Sequence, residues 1–426
     1  MEGRINAEWD RLNKVVVHRP GMEMFFGLLD PEPSLYERAF NQSVAQSEHD
    51  RLVAALHEEF GVNVKTLTGI IKSHAKSDHK AKEMVVDAAL KRIDFVGSSK
   101  EKSQAIENLR ANIDVFDLDY FLNIIMLMPR IVLKGSKGIE AIHINVTERD
   151  PLANLYFMRD QQAVTDKGIF LSRMAKPQRR HEPELTKMLW EMMGLPITHE
   201  TTEPATFEGG DFMPMKDFAL LGLGDRTNKQ GVDQMLKYGQ SFAEVAVVHQ
   251  PLHPLIPSNE PDPMVDMHVD TYCNVAGSDV IIGSKILFQR AKVDVYIKEG
   301  SSYKMDKKPT NLYDYVTGKG FRVINLSTLE QMSYASNFLC IKDHTILAVN
   351  SKLIVKRVLN NLMLKAKENP KRYGALLSQA KKDYKDFLSS GQLFPHKREM
   401  RQNGIDFYSI DLKNITGGYG GAHCMT

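Results

Sequence analysis

Cysteine is scarce in this chain: three occur in 426 residues, Cys273, Cys340 and Cys424, and none form a CxxC pair. An odd, sparse count argues against a disulfide framework. Without paired thiols there is no ligand set for a structural zinc, and thiols kept reduced point to a cytoplasmic setting. An excess of one charge is lacking too. Lys and Arg number 55 against 53 Asp and Glu, a formal net charge of +2, which removes the electrostatic reason to expect nucleic acid or an anionic membrane as partner. Long hydrophobic runs are missing: the most apolar, FLNIIMLM at 121–128, falls far short of the roughly 20 residues a membrane-spanning helix needs. The opening MEGRINAEWDRLNKVVVHRPG is polar and has no signal-peptide core. No low-complexity linker and no exact repeat divides the chain, so one α/β domain over 1–426 is preferred to two tethered ones.

What is present is a 42% hydrophobic composition, ample for a sizeable core. LNKVVVHR (12–19) reads as a buried strand stopped by Pro20-Gly21, 22–34 as a loop, 34–60 as helical with Leu52, Leu56 and Phe60 four apart, and VNVKTL (62–67) as a strand. From about 70 to 150 Lys, Glu, Ala and Leu dominate and glycine is scarce, which predicts an all-helical insertion of four or five helices. Beyond it, strand-like runs recur: GIFLSR (168–173), FALLGLG (218–224), EVAVVHQ (244–250), DVIIGS (279–284), FRVINL (321–326) and TILAV (345–349). Helical patterns at 181–194 and 230–242 separate some of them, so the spacing suits a repeated mixed α/β unit. The lysine-rich segment 356–402 is helical, with a helix at 371–388, and its charge reads as a solvated face.

Four short stretches carry residues with chemistry. FEGGDF (207–212) sets Glu208 and Asp211 on either side of a glycine turn that lets both point into one space, though an ordinary polar turn reads equally well. In MHVDT (267–271), read as a strand, period-two alternation puts His268 and Asp270 on one face. A histidine beside a carboxylate is a natural proton shuttle. NLYFMRD (154–160) offers Asn154 and Asp160 to a pocket with Phe157 as an apolar wall, or simply a helix cap at Asp160. GGYGGAHCMT (417–426) places Gly417, Gly418, Gly420 and Gly421 before His423 and Cys424. Such glycine density suits backbone brought close to a ligand. Cys424 is the best nucleophile candidate, while Cys273 and Cys340 sit in apolar contexts as buried bystanders.

These pieces, in this order and beginning with VVVHRPG at 15–21, resemble the arginine deiminase family of guanidino-modifying enzymes over nearly the whole chain. The insertion near 70–150 favours that family over the compact dimethylarginine hydrolases. The resemblance implies a five-bladed α/β propeller of pseudo-fivefold ββαβ units, and hydrolysis of L-arginine to L-citrulline and ammonia without metal or organic cofactor. Carried over motif by motif, Cys424 is similar to the nucleophile and His268 to the general acid and base. Asp160 and Asp270 match the carboxylates gripping the guanidinium, and Glu208 the carboxylate that orients the histidine. Asn154, Arg179 and Arg226 resemble contacts to the α-carboxylate, with Glu182 three residues after Arg179, and Phe157, Asp211 and Gly418 join the substrate-binding set. The implied partner is a small guanidino compound, with segment 356–402 an added surface helix or a homo-oligomer contact. One position departs from the family: Tyr419 stands where many members carry an arginine. An arginine dihydrolase, an amidinotransferase, an agmatine deiminase or a non-catalytic arginine-binding protein therefore stay open as alternatives.

Overall fold

The computed structural model describes residues 3–133 and 144–426. One motif recurs along it: two antiparallel strands, a helix, then a strand parallel to the second. The first such unit is Gln162–Val164, Ile169–Leu171, helix Glu182–Met192 and Ile197–Glu200. The second is Phe212–Pro214, Phe218–Leu223, a helix over Lys229–Gln234, and Glu244–His249. The third runs Cys273–Gly277, Val280–Gly283, helices Lys285–Arg290 and Leu312–Gly318, and Arg322–Asn325. The fourth is Leu339–Lys342, Thr345–Val349, helices Ser351–Glu368 and Pro370–Ser390, and Asp406–Ile410. A fifth, Lys14–Val17, helix Gln42–Glu58 and Asn63–Thr66, has the parallel pair without a named leading strand.

The composition of the strands explains the arrangement. Parallel strands are covered on both faces and so read as continuous apolar runs. Val280, Ile281 and Ile282 are fully buried, as are Leu220 and Leu221. A hairpin, Lys292–Glu299 and Ser302–Asn311, leaves the third unit and extends the sheet of the second to five strands. All six strand-like runs from GIFLSR to TILAV carry strands, and the helix expected at 371–388 is Pro370–Ser390.

Three expectations need correction. The segment 22–34 is not all loop: MEMFFGLL forms a helix, Met22–Leu29, whose Gly27 backs onto Ala153 where a Cβ would come within 2.7 Å of the alanine methyl. The insertion is not all helical. Its helices Leu67–Ser77, His79–Arg92, Ser99–Ala111 and Leu118–Leu127 are joined by a three-stranded sheet of Asp94–Val96, Pro129–Leu133 and Ile144–Arg149. The β-branched run PRIVL prefers a pleated strand, and Pro129 stands at its first residue, where a missing N–H costs least. Helices Leu67–Ser77 and Glu182–Met192 pack together, so the insertion buries Leu67, Ile71 and Val85 in one cluster with Leu185 and Leu189 of the first unit. Finally, MHVDT is not a strand: His268 is extended, and Val269–Tyr272 is a single helical turn. Among the described residues no helix is long and apolar enough to cross a membrane.

Candidate active site

The site residues come from the same place in successive units, the turn entering the first strand. Asp160 precedes Gln162–Val164, Glu208 precedes Phe212–Pro214, His268 and Asp270 precede Cys273–Gly277, and Asn337 precedes Leu339–Lys342. The loop after Asp406–Ile410 delivers Cys424. Short strands with buried faces hold these turns in place, so each side chain is aimed by a rigid element.

The chain bends sharply where it must approach these groups. A Cβ on Gly210 would come within 2.9 Å of His268 Nδ1, and one on Gly420 within 2.9 Å of the Cys424 Cβ. Only glycine leaves room for the imidazole and the thiol at those positions.

Cys424 lies at the wall of a cavity of about 220 Å³ that Asn154, Phe157, Asp160, Arg226, Gly418 and Tyr419 also line. That volume is below the roughly 300–1,000 Å³ of pockets for drug-sized ligands, so the occupant is small. Asn337 Nδ2 donates to Cys424 Sγ at 3.0 Å and to Asp270 Oδ2 at 3.2 Å, while its Oδ1 accepts the N–H groups of Gly421 (2.7 Å) and Cys424 (3.1 Å). The thiol itself donates to Asp270 Oδ2 at 3.5 Å. Burial pushes the Cys424 pKa well up, Asp270 and Asp160 push it further, and the Asn337 hydrogen bond only partly opposes them. Without a cation in the cavity, Cys424 is a protonated thiol.

Behind the cavity, His268 Nε2 donates to Glu208 Oε2 at 2.9 Å, and its Nδ1 lies 3.9 Å from Asp160 Oδ1 and 4.0 Å from Asp270 Oδ1. Burial opposes a charged imidazole, but Asp160, Glu208 and Asp211 outweigh it and raise its pKa to about 9. Glu208 moves the other way. Burial resists its ionisation, yet Arg226 at 3.5 Å and His268 hold it well below the usual carboxylate range. Asp270 is depressed in the same manner, by the His423 Nδ1 bond of 2.8 Å against the cost of burial. Asp160 Oδ1, Asp270 Oδ1 and His268 Nδ1 are buried and have no hydrogen-bond partner among the described residues. Donor atoms of Asp160, Glu208 and His268 all lie within 4.8 Å of one another, a spacing a metal ion also uses. A protonated imidazole has no lone pair for a cation, and Arg179 Nη1 already donates to Asp160 Oδ2 at 2.6 Å.

The sequence-predicted residues therefore converge in large part. Cys424, Asp160, Asn154, Phe157, Arg179, Arg226 and Gly418 line the cavity, with His268, Asp270 and Glu208 directly behind. Arg179 is bound by Glu182 and Asp160 and so fixes Asp160. Asp211 does not reach the cavity lining. Its oxygens accept from Thr227 Oγ1 (2.6 Å) and the Val269 N–H (3.1 Å), which ties the FEGGDF turn to the helical turn after His268, and burial raises its pKa to about 6. That tie is also why MHVDT turns inward without strand alternation. Cys273 and Cys340 are free and buried, away from the cavity lining. Sequence reasoning missed Asn337, which stands in an unremarked SNFLC run. It also missed the chain Glu8–His423–Asp270, in which His423 Nε2 lies 3.6 Å from Glu8 Oε2. His423 beside the candidate nucleophile was the available signal.

A family model described as "Arginine deiminase" matches residues 33–426. Similar curated proteins include the arginine deiminases of Halobacterium salinarum (24% identical, over 80% of this chain and 82% of the relative), Oenococcus oeni (24%, 86% and 92%) and Staphylococcus epidermidis (25%, 86% and 93%). Similar solved structures include a DDAH mutant from Pseudomonas aeruginosa complexed with citrulline (12% identity, 97% of this chain and 98% of that one, TM-score 0.48). Another is an amidinotransferase from Microseira wollei (12%, 99% and 95%, TM-score 0.47).

Proposed function

Because the chain belongs to the arginine deiminase family, we propose that it hydrolyses L-arginine to L-citrulline and ammonia through a covalent intermediate on Cys424. One observation carries the reading: two buried carboxylate oxygens, Asp160 Oδ1 and Asp270 Oδ1, have no hydrogen-bond partner among the described residues, beside a thiol that opens on a small cavity. A guanidinium is a planar cation with N–H groups on its edges, and it satisfies both carboxylates by charge-assisted bonds while its carbon faces the sulfur.

The bound cation lowers the Cys424 pKa, the thiol proton passes to solvent, and the thiolate attacks the guanidinium carbon, forming a C–S bond and a tetrahedral centre. His268, protonated below about pH 9, gives its proton to a terminal nitrogen, the C–N bond breaks and ammonia leaves. Water then attacks the thiouronium carbon as His268 takes its proton. The second tetrahedral centre collapses, the C–S bond breaks, and citrulline and the thiolate are released. Glu208 holds the imidazole in position through both steps, and Arg226 and Asn154 border the part of the cavity left for the amino-acid portion.

Four ββαβ units and a fifth parallel pair, with site residues entering at the same turn of successive units, support a five-bladed α/β propeller with the site at its centre. Three unpaired buried thiols agree with a cytoplasmic enzyme.

The test is product analysis of the purified protein with L-arginine, beside a Cys424→Ala control. Citrulline and ammonia in equal amounts, abolished in the variant, are expected. Ornithine with two ammonia per arginine, or substantial turnover by Cys424→Ala, would overturn the proposal.

A further inference from the structure

A substrate carboxylate entering this cavity needs a cation that is not already neutralised. Arg179 is bound to Asp160 and Glu182, and Arg226 to Glu208 and Asp225. Lys365 differs. It projects from helix Ser351–Glu368, inside the lysine-rich segment, and no carboxylate lies within ion-pair distance of it among the described residues. Its Nζ donates instead to Met264 Sδ at 3.2 Å and to the hydroxyl of Tyr419 at 3.4 Å, and it sits 5.8 Å from the centres of both the Tyr419 and Tyr373 rings.

Tyr419 lines the cavity, at a backbone φ of 71° that ends the turn Ile415–Gly418. Burial raises the pKa of its phenol, so the hydroxyl keeps its proton. No acceptor among the described residues takes that proton. A hydroxyl that accepts from an ammonium and has its own O–H free is a polarised donor, stronger than an isolated phenol.

The same pair of helices builds the wall beside it. Arg372 Nη1 donates to Ser258 Oγ at 2.8 Å and Tyr373 Oη to Asp262 Oδ2 at 2.8 Å, which pins the loop that brings Pro263 to the cavity. Glu32, an exposed carboxylate, also lines the cavity. An ammonium-backed hydroxyl and a free carboxylate bordering one small cavity suit the two opposite charges of an α-amino acid.

We propose that Lys365, acting through Tyr419, is a positioning residue that selects guanidino substrates bearing an α-carboxylate over their decarboxylated amines. The inference rests on the guanidino-hydrolase reading of the site and adds a residue that sets its specificity.

The test is equilibrium binding of L-arginine and of agmatine by calorimetry, in a Cys424→Ala background, with Lys365 intact, Lys365→Met and Lys365→Arg. Lys365 is half-buried on a helix surface, and methionine keeps its stem and helix propensity. L-arginine binding is expected to weaken by about tenfold or more in Lys365→Met, the weight of a hydrogen bond to a charged group, with agmatine within about twofold on the same scale and recovery in Lys365→Arg. In the enzyme with Cys424 intact, Lys365→Met raises KM for arginine and leaves kcat. Unchanged arginine binding, or equal losses for the two ligands, would overturn the proposal, the second outcome making Lys365 a structural prop. Failure of the deiminase reading appears separately, as no citrulline from the unsubstituted protein while binding still depends on Lys365. Binding of neither ligand to Cys424→Ala would remove both.

Discussion

At the scale of the residue, the charge on His268 is decided by its neighbours. Glu208 is the carboxylate bonded to its ring, and together with Asp160 and Asp211 it overcomes burial to hold the imidazolium up to about pH 9. Replacing Glu208 by glutamine keeps the shape and a hydrogen bond but removes the charge. The alkaline limb of kcat/KM, which reports the free enzyme, is expected near pH 9 in the unsubstituted protein. In Glu208→Gln it moves down by about 1–2 units, the effect of losing an adjacent opposite charge. A limb that stays in place would mean that Glu208 does not hold the proton on His268. The carboxylates and the thiol of the candidate site were legible because each sits in a short string with glycine, histidine or a second carboxylate at close range. Asn337 was not. Its four hydrogen bonds, two to Cys424 and one each to Gly421 and Asp270, span 67 to 87 residues, and nothing local in SNFLC marks them.

At the scale of the element, the loop that carries Cys424 depends on a helix from the other end of the chain. Glu48 of helix Gln42–Glu58 is fully buried and accepts the backbone N–H groups of Asn414 (2.8 Å) and Ile415 (2.8 Å) and the Asn414 side chain (2.7 Å). Glu48→Ala leaves those donors without partners inside the protein. It is expected to lower stability by about 2–4 kcal/mol in urea unfolding and to raise KM, because the same loop carries Gly418, Tyr419 and Cys424. A loss under about 0.5 kcal/mol, the size of a surface substitution, would show that the loop stands without this anchor. Elements were legible where one signal dominated, as in DVIIGS or TILAV. They were missed where signals competed: MEMFFGLL follows Pro-Gly without a capping side chain, and three short strands lie among lysine-rich helices. MHVDT carries alternation that the Asp211–Val269 bond overrides.

At the scale of the whole molecule, buried ionisable groups set how stability follows pH. Glu8, Glu208 and Asp270 have depressed pKa values in the folded state. Their contribution is present above the ordinary carboxylate range and is lost as pH falls through it. Burial raises Asp211 to about 6 and Asp266 to about 7, so each binds its proton more tightly folded than unfolded, and stability falls as pH rises from about 4 to those values. His268, raised to about 9, and His423, raised by Asp270 and Glu8 against burial, contribute fully below about pH 6.5, the unfolded value. Both contributions are lost as pH rises above that value, that of His268 as pH climbs toward 9. His49 and His253, lowered by burial to about 3 and about 4, act the other way, and their contribution grows as pH rises from those values to about 6.5, the unfolded value. Above that pH the raised groups act alone, so the urea midpoint is expected to decline from pH 7 to pH 9, and a midpoint that rises over that interval would contradict this.

The anchor between Glu48 and Asn414 spans 366 positions of the chain, and the Glu8–His423 contact joins segments still further apart. Closing such long loops is entropically slow compared with forming local helices and hairpins. During refolding, secondary structure is therefore expected to return before the thiol reaches its cavity, with activity last, so that a nearly finished molecule is chemically silent.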